Sequence, residues 1–330
     1  MKLVMQLIEI PWPGAATLMW DGDKVLDITS GQRGDFGGSL TSRSINMTYR
    51  FDRAIGLRSR GVQWAVAYTN RNTKAVLMKN GSVHRELNRS FYCAEAYDYP
   101  ITMGTYVAGQ AVVIHCPNKF NLLEIEDAET GSVLDTLESK NMEFHSRLNL
   151  SADGRWLADA GWFWHPWCGA AVFEITQADD GALRFTKNPA FPMAFSAQNE
   201  IDSVAFMGNS HLAVSSVSDY FGEEPESGNL LPKQLGIWSL TERIWESKVD
   251  LAEASGMLMP WKEWVVSFYD HPKLIELATG RVVQRWDKIC SGKQLGPIEL
   301  GDPPPPPIAT DPIGGRFAVG GSKTVTLVSL

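Results

Sequence analysis

The chain has 330 residues, of which 44% are apolar and 21% charged, and it carries a formal net charge of −8 with an isoelectric point near 5.3. This acidic balance, without any long Lys/Arg run, argues against a nucleic-acid-binding or anionic-membrane surface, because such surfaces need a basic patch. No apolar run approaches the roughly 20 residues that a membrane helix requires. The length is compatible with one large all-β domain built from repeats.

The first residues, MKLVMQLIEIPWPG, predict a strand over residues 2–10 rather than a secretion signal, because Glu9 and Pro11 interrupt the apolar run too early. The four cysteines are widely separated and include no CxxC pair: Cys93, Cys116, Cys168 and Cys290. A disulfide scaffold is therefore not indicated, and a reducing cytoplasm is the expected compartment.

A two-strand phrase with a tight turn recurs along the chain. Its clearest copy, SRLNLSADGRWLADAGW, begins at Ser146 and turns at Asp153-Gly154, where glycine adopts the positive φ of a hairpin turn without steric cost. Further copies begin at Ala16, Ala54, Ile101, Asp202, Gly256 and Ile308. Most intervals between them approach the roughly 40–50 residues of one propeller blade.

Outer strand pairs follow several of these copies. Residues 121–126 lead through a Glu-Thr-Gly turn into 133–137, and residues 273–277 lead through Ala-Thr-Gly into 282–286. The phrases SADGRWLADAG, IELATGRVVQRW and EIEDAETGSVLDTL resemble the WD40 family, although the Gly-His and Trp-Asp dipeptides of that family are missing. The resemblance spans essentially the whole chain and implies a divergent WD40-like propeller, a fold that hosts many activities.

We therefore predict an all-β fold, a β-propeller of seven blades of four antiparallel strands, closed by the N-terminal strand joining the last blade. Closure of this kind leaves no free sheet edge where the ring joins. The pattern is weakest in the Gly-rich first blade, so six or seven complete blades are both compatible with the sequence. A single domain over residues 1–330 is expected, with blades at 15–53, 54–98, 99–140, 145–190, 200–251, 255–288, and 308–330 with 2–10.

The long and unusual segments of the predicted ring all fall on one face, where second-to-third strand loops and inter-blade loops emerge together. We call it the long-loop face, and we call the opposite side, with its first-to-second strand turns, the turn face. Long loops on a rigid scaffold usually carry binding. The segments are residues 30–42, 88–99, 116–119, 163–168, 188–200, 218–234, 270–272 and 287–307.

Two of these loops contain candidate binding residues. The aromatic segment 162–167 would supply anchors for a protein partner, because aromatic residues dominate interface hot spots, although its rings could instead cover the blade edge. The segment 219–226 combines aromatic and acidic residues and would meet a basic protein, or would be a solvated insertion. The predicted partner-binding residues are Trp162, Phe163, Trp164, His165, Trp167, Asp219, Tyr220, Phe221, Glu223, Glu224, Glu226 and His271.

Catalytic and metal motifs are scarce in this sequence. The pair His165-x-x-Cys168 has ligand types suited to zinc or copper, but no second pair has a defined spacing, so neither a metal nor a cofactor is predicted. No G-x-S-x-G, P-loop or HExxH motif occurs. An enzymatic function is the alternative to a binding function: a metal-dependent lactonase- or lyase-like enzyme acting in the central channel. The residues that could line the channel for such chemistry are Asp98, Asn199, Glu200 and Asp202.

The sequence therefore favours a non-enzymatic, protein-binding propeller, either a scaffold or an inhibitor or immunity-type partner of a cytoplasmic protein. We expect a chain that is monomeric on its own and binds neither nucleic acid nor membrane, with self-association as a third possibility. The proline run at 303–307 is expected to be a stiff connector between blades, the alternative being a ligand for an SH3-like or WW-like domain.

Overall fold

The structure is a computed structural model that describes residues 5–43, 45, 47, 49–106, 109–139, 143–163, 168–179, 182–186, 190, 200–216, 230–298 and 305–330. These residues form seven four-stranded antiparallel sheets and one additional two-stranded sheet. This arrangement confirms the predicted all-β propeller with seven blades. Within the same ranges, no helix is long and apolar enough to cross a membrane.

The strands follow one another in chain order around the ring. Blade 1 contains β2 (Leu18–Asp21), β3 (Lys24–Asp27), β4 (Gln32–Gly34) and β5 (Leu40–Ser42), and blade 2 contains β6 (Arg53–Ser59), β7 (Val62–Tyr68), β8 (Lys74–Lys79) and β9 (Ser82–Asn88). Blade 3 contains β10 (Ile101–Tyr106), β11 (Gln110–His115), β12 (Leu122–Asp127) and β13 (Val133–Glu138). Blade 4 contains β15 (Asn149–Leu150), β16 (Trp156–Asp159), β18 (Ala171–Gln177) and β19 (Leu183–Phe185), beside the separate pair β14 (Glu143–Phe144) and β17 (Trp162–Phe163).

The remaining blades complete the ring. Blade 5 contains β20 (Ile201–Met207), β21 (His211–Ser216), β22 (Gln234–Ser239) and β23 (Ile244–Asp250), and blade 6 contains β24 (Leu258–Trp261), β25 (Trp264–Ser267), β26 (Lys273–Glu276) and β27 (Val282–Arg285). Blade 7 is built from β28 (Ile308–Asp311), β29 (Arg316–Gly320), β30 (Thr324–Ser329) and the N-terminal strand β1 (Gln6–Pro11).

The N-terminal strand closes the ring as the sequence predicts. β1 pairs antiparallel with β30, from Gln6 opposite Ser329 to Pro11 opposite Thr324. The side chains of Ile10 and Trp12 are buried against blades 1 and 7. The last blade therefore has four strands like the other blades, with the chain's own beginning as its outer strand, and β30 is paired on both sides.

The turn of the clearest repeat shows why the sequence needs glycine there. Gly154 has a φ of 75°, and a Cβ at this position would collide with the carbonyl oxygen of Thr105 in blade 3. The Ser151 hydroxyl donates to Asp153 at 2.6 Å and accepts a hydrogen bond from the amide of Trp156 at 2.9 Å. The S-x-D-G phrase therefore fixes both the hairpin and the approach of one blade to the next.

The first blade differs from the sequence expectation, because residues 30–42 were expected to be a loop. They contain two short strands, β4 and β5, after a turn in which Gly31 has a φ of 70°. The buried carboxylate of Asp27 organises this turn by accepting hydrogen bonds from Thr17 Oγ1 at 2.5 Å and the Thr29 amide at 3.2 Å. The polar sequence Gln-Arg-Gly lacks the β-rich pattern on which the prediction depended.

The second strand of blade 4, β16, ends at Asp159. The Asp159 side chain is fully buried and accepts hydrogen bonds from the Ser146 amide at 3.0 Å and from Nδ1 of His145 at 2.5 Å. Residues 162–163 leave the blade and pair with β14, where Phe144 lies opposite Trp162. The chain is thereby directed onto the long-loop face.

Candidate functional site

An aromatic surface lies on the long-loop face at blades 3 and 4. Its rings come from the β9–β10 loop, the β11–β12 loop and the β14–β17 pair. We call this group the aromatic platform and define it by five residues: Phe91, Tyr92, Phe120, Phe144 and Trp162.

The platform rings stack on one another around a buried centre. Phe144 is completely buried, and the centroids of Phe120 and Trp162 lie 4.3 and 4.6 Å from its own. Tyr92 covers this centre, with its ring 5.3 Å from Phe120. Tyr92 is 42% exposed and Phe91 is 83% exposed, so the outer layer of the platform faces solvent. Aromatic stacking at these distances makes the layer rigid rather than adaptable.

The loop that presents Phe91 is held in place by Arg89, whose guanidinium is buried beneath it. Arg89 donates to the carbonyl oxygens of Ala94 and Tyr97, the latter at 3.1 Å, and stacks on the Tyr97 ring at 4.5 Å. Burial lowers the pKa of Arg89 and raises the pKa of Tyr97 to about 12. Because these buried polar groups satisfy one another, the loop has an internal structure of its own.

Three of the twelve predicted partner-binding residues lie in the described ranges. Trp162 is half-buried in the platform, and the backbone of Phe163 pairs with Glu143. His271 lies in the β25–β26 loop of blade 6, where its Nδ1 contacts the Ile289 carbonyl at 2.8 Å. The structure thus brings Trp162 into the platform and leaves His271 in a different blade. The other predicted residues lie outside the described ranges and stay predictions: Trp164, His165, Trp167, Asp219, Tyr220, Phe221, Glu223, Glu224 and Glu226.

Sequence reasoning missed four members of the platform, the three in loops and the buried Phe144 of β14. Phe91 and Tyr92 are adjacent in the inter-blade segment RSFYCAEAY, and Phe120 follows the short loop beginning at Cys116. An adjacent aromatic pair within a loop was the available signal, since a buried strand would alternate such residues with polar ones.

The channel mouth on the same face is crossed by the segment between blades 6 and 7. We call its described part, residues 287–298, the crossing segment. The carbonyl oxygen of Pro297 accepts a hydrogen bond from the Asp98 amide at 2.9 Å, and that of Leu295 accepts one from Arg147 at 2.8 Å. Ile298 forms a bridge with Tyr97. A segment that begins at blade 6 therefore reaches the starts of blades 3 and 4.

The Asp98 carboxylate lies at the centre of these contacts. It accepts hydrogen bonds from Arg147 Nε at 2.9 Å and Gln294 Nε2 at 2.9 Å, and Arg71 lies 3.1 Å away. Burial alone would raise the pKa of Asp98, but the Arg147 and Arg71 guanidinium groups hold it below the usual value. A carboxylate so fully paired serves to join the crossing segment to the blades.

The other acidic candidates for channel chemistry are arranged differently. Glu200 accepts a hydrogen bond from the Cys168 amide at 3.0 Å, and burial raises the pKa of its carboxyl group. Asn199 and the side chain of Asp202 lie outside what the structure describes. Within the described ranges, no group of three His, Cys, Asp or Glu residues could hold a metal ion.

Behind the crossing segment the channel contains a cavity of about 350 Å³. A second cavity, of about 540 Å³, opens at the turn face between blades 4 and 7. The two share Asn149, Leu258 and Thr310 in their walls, so they are parts of one channel.

Comparison with known proteins relates the chain to solved structures alone, since no family model and no curated protein matches it. It is similar to BamB from Moraxella catarrhalis (TM-score 0.51, 12% identity, 99% of this chain and 98% of that one). It is also similar to a chain of the mitotic checkpoint complex (TM-score 0.55, 10% identity, 98% of this chain and 91% of that one). A third similar structure is streptogramin B lyase (TM-score 0.59, 14% identity, 99% of this chain and 98% of that one). All three identities are below 25%, and these similarities agree with the seven-bladed β-propeller fold described above.

Proposed function

We propose that this chain is a non-enzymatic protein-binding propeller whose aromatic platform contacts a partner protein. The proposal rests on two adjacent aromatic residues. Phe91 is 83% exposed, and Tyr92, which packs on the rings of Phe120 and Phe144, is 42% exposed. Exposed aromatic side chains supported by rigid neighbours are typical of interface hot spots, because burying them removes much apolar area from water at little entropic cost. The predicted partner-binding residues Trp164 and Trp167 follow Trp162 in the sequence and are part of the same proposal.

We propose that the chain acts as a monomer in the cytoplasm and that its partner is a basic protein. The net charge of −8 supports a basic partner, because opposite charges speed the encounter of two proteins and make its rate depend on salt. Among the similar structures, the mitotic checkpoint complex is by its name an assembly, which is consistent with a scaffold or inhibitor role.

The alternative is an enzyme of the lactonase or lyase kind acting in the channel. Its support is the cavity of about 350 Å³ and the similarity to streptogramin B lyase. We place it second because the channel carboxylate of Asp98 is already paired with two arginines. Metal analysis before and after treatment with chelator separates the two, since a protein-binding role needs no divalent ion.

The test is affinity capture from the source organism's own lysate with matched variants. Wild-type protein is compared with Phe91→Ala/Tyr92→Ala and with Ile313→Ala, which alters a residue 88% exposed on the turn face. We expect one protein retained by wild type and Ile313→Ala and lost from the double variant. Retention of the same protein by the double variant would contradict the proposal.

A further inference from the structure

The channel cavity behind the crossing segment has one apolar wall and one cationic end. Its apolar wall is formed by the first strands of several blades: Ile55, Ile101, Leu148, Val204, Leu258 and Ile308. Its end nearest the long-loop face contains Arg53, Tyr68 and Ser291. A volume of about 350 Å³ lies at the small end of the ligand pockets found in proteins, roughly 300–1,000 Å³.

Arg53 differs from the other arginines at this end of the channel. Its guanidinium donates to two backbone carbonyl oxygens, of Asp52 at 2.8 Å and Pro305 at 3.0 Å. Arg71 and Arg147 pair with Asp98, whereas no carboxylate within the described ranges lies in ion-pair contact with Arg53. Among the described residues that line the cavity, two arginines, Arg53 and Arg147, stand against one carboxylate, that of Asp98.

Two hydroxyl groups beside Arg53 also have unused hydrogen-bonding capacity. Tyr68 is the strand partner of Arg53, and its hydroxyl forms no hydrogen bond with the described residues. Ser291 is buried, and its Oγ has no hydrogen-bond partner among them either. Ser291 precedes Gly292, which contacts Pro305, the residue whose carbonyl Arg53 binds. Of the two, the Tyr68 hydroxyl is the one with access to the cavity, where it is available to a ligand as a hydrogen-bond donor.

We propose that the channel binds a small organic monocarboxylate, with the carboxylate at Arg53 and the apolar part along the channel wall. Tyr68 donates a hydrogen bond to the same anionic group. Burial raises the pKa of Tyr68, so its hydroxyl stays protonated at neutral pH and is available as a donor. We expect the ligand to enter from the turn face, because the second cavity adjoins this one there while the crossing segment lies over the other end.

The experiment measures binding of 4-phenylbutyrate and of its uncharged amide by calorimetry. The acid presents a carboxylate and an apolar tail, and the amide is nearly the same shape without the charge. We expect the acid to bind wild-type protein roughly tenfold to a hundredfold more tightly than the amide, the range for hydrogen bonds to charged groups. Arg53→Gln removes this preference.

The matched control is Arg58→Gln, on the same strand β6. Arg58 is 60% exposed and pairs with Asp21 outside the cavity, so its replacement leaves the preference unchanged. If Arg53→Gln does not fold, Tyr68→Phe serves instead and is expected to weaken binding of the acid several-fold. Equal binding of acid and amide by wild type overturns the proposal. So does an unchanged preference in folded Arg53→Gln, or no binding of the acid at about 10 mM.

Discussion

The Nε atom of Arg147, at the start of blade 4, lies 2.9 Å from Oδ2 of Asp98, at the start of blade 3. Through Gln294, the same carboxylate also binds the segment that crosses the channel from blade 6. One buried acid therefore ties together parts of the ring that lie far apart in the chain. The inter-blade segment, which the sequence indicates only as a long loop, becomes part of the rigid framework.

Replacing Asp98 with Asn is expected to lower the free energy of unfolding by about 3 kcal/mol, since it leaves two poorly solvated guanidinium groups without their anion. Chemical denaturation measures the change. The matched control is Glu138→Gln, because Glu138 and its partner Lys119 are both more than half exposed and the loss of this pair should cost less than about 1 kcal/mol. Equal losses in both variants would contradict the central position given to Asp98.

The same pairing sets a dependence on pH. The folded-state pKa of Asp98 lies below its unfolded value, so its contribution is complete above roughly pH 4 and is lost as the pH falls through the lower, folded value. Glu126 and Asp127 have lowered pKa values as well and act in the same direction. Wild-type stability should therefore decline below about pH 4, and Asp98→Asn should decline less steeply. Parallel pH profiles would argue against the assignment.

Closure of the ring can be tested within one strand. Ile10 is 1% exposed and Leu7 is 49% exposed, and both belong to β1. Ile10→Ala should cost about 2–4 kcal/mol because it leaves a cavity between blades 1 and 7, and Leu7→Ala less than about 1 kcal/mol. A small loss for Ile10→Ala would mean that the N-terminal strand contributes little to closure.

The platform divides into a structural centre and a free outer layer. Phe144→Ala should destabilise the protein by about 3–5 kcal/mol, since Phe144 is buried among the rings of Tyr92, Tyr97, Phe120 and Trp162. Phe91→Ala should change stability by no more than about 0.5 kcal/mol. Thermal and chemical unfolding of the two variants provide the comparison. A large loss in Phe91→Ala would identify that ring as part of the core instead of a binding group.

The sequence predicted the architecture well because each blade repeats local signals. The turn at Asp153-Gly154 follows from turn chemistry alone. The N-terminal strand predicted at residues 2–10 is present in the described ranges as Gln6–Pro11, where it closes the ring. The site was predicted poorly for a physical reason. The contact between Gln294 and Asp98 joins residues that lie far apart in the chain, and no local sequence pattern indicates that these two loops contact each other.

The central claim is that a protein partner contacts the aromatic platform, and photo-cross-linking in the living source organism tests it most directly. A photoreactive phenylalanine analogue is placed at Phe91 and, as the matched control, at Ile313 on the turn face. The account expects one specific protein to be cross-linked at position 91 and not at position 313. Specific cross-links at position 313 alone, or at neither position, would contradict it.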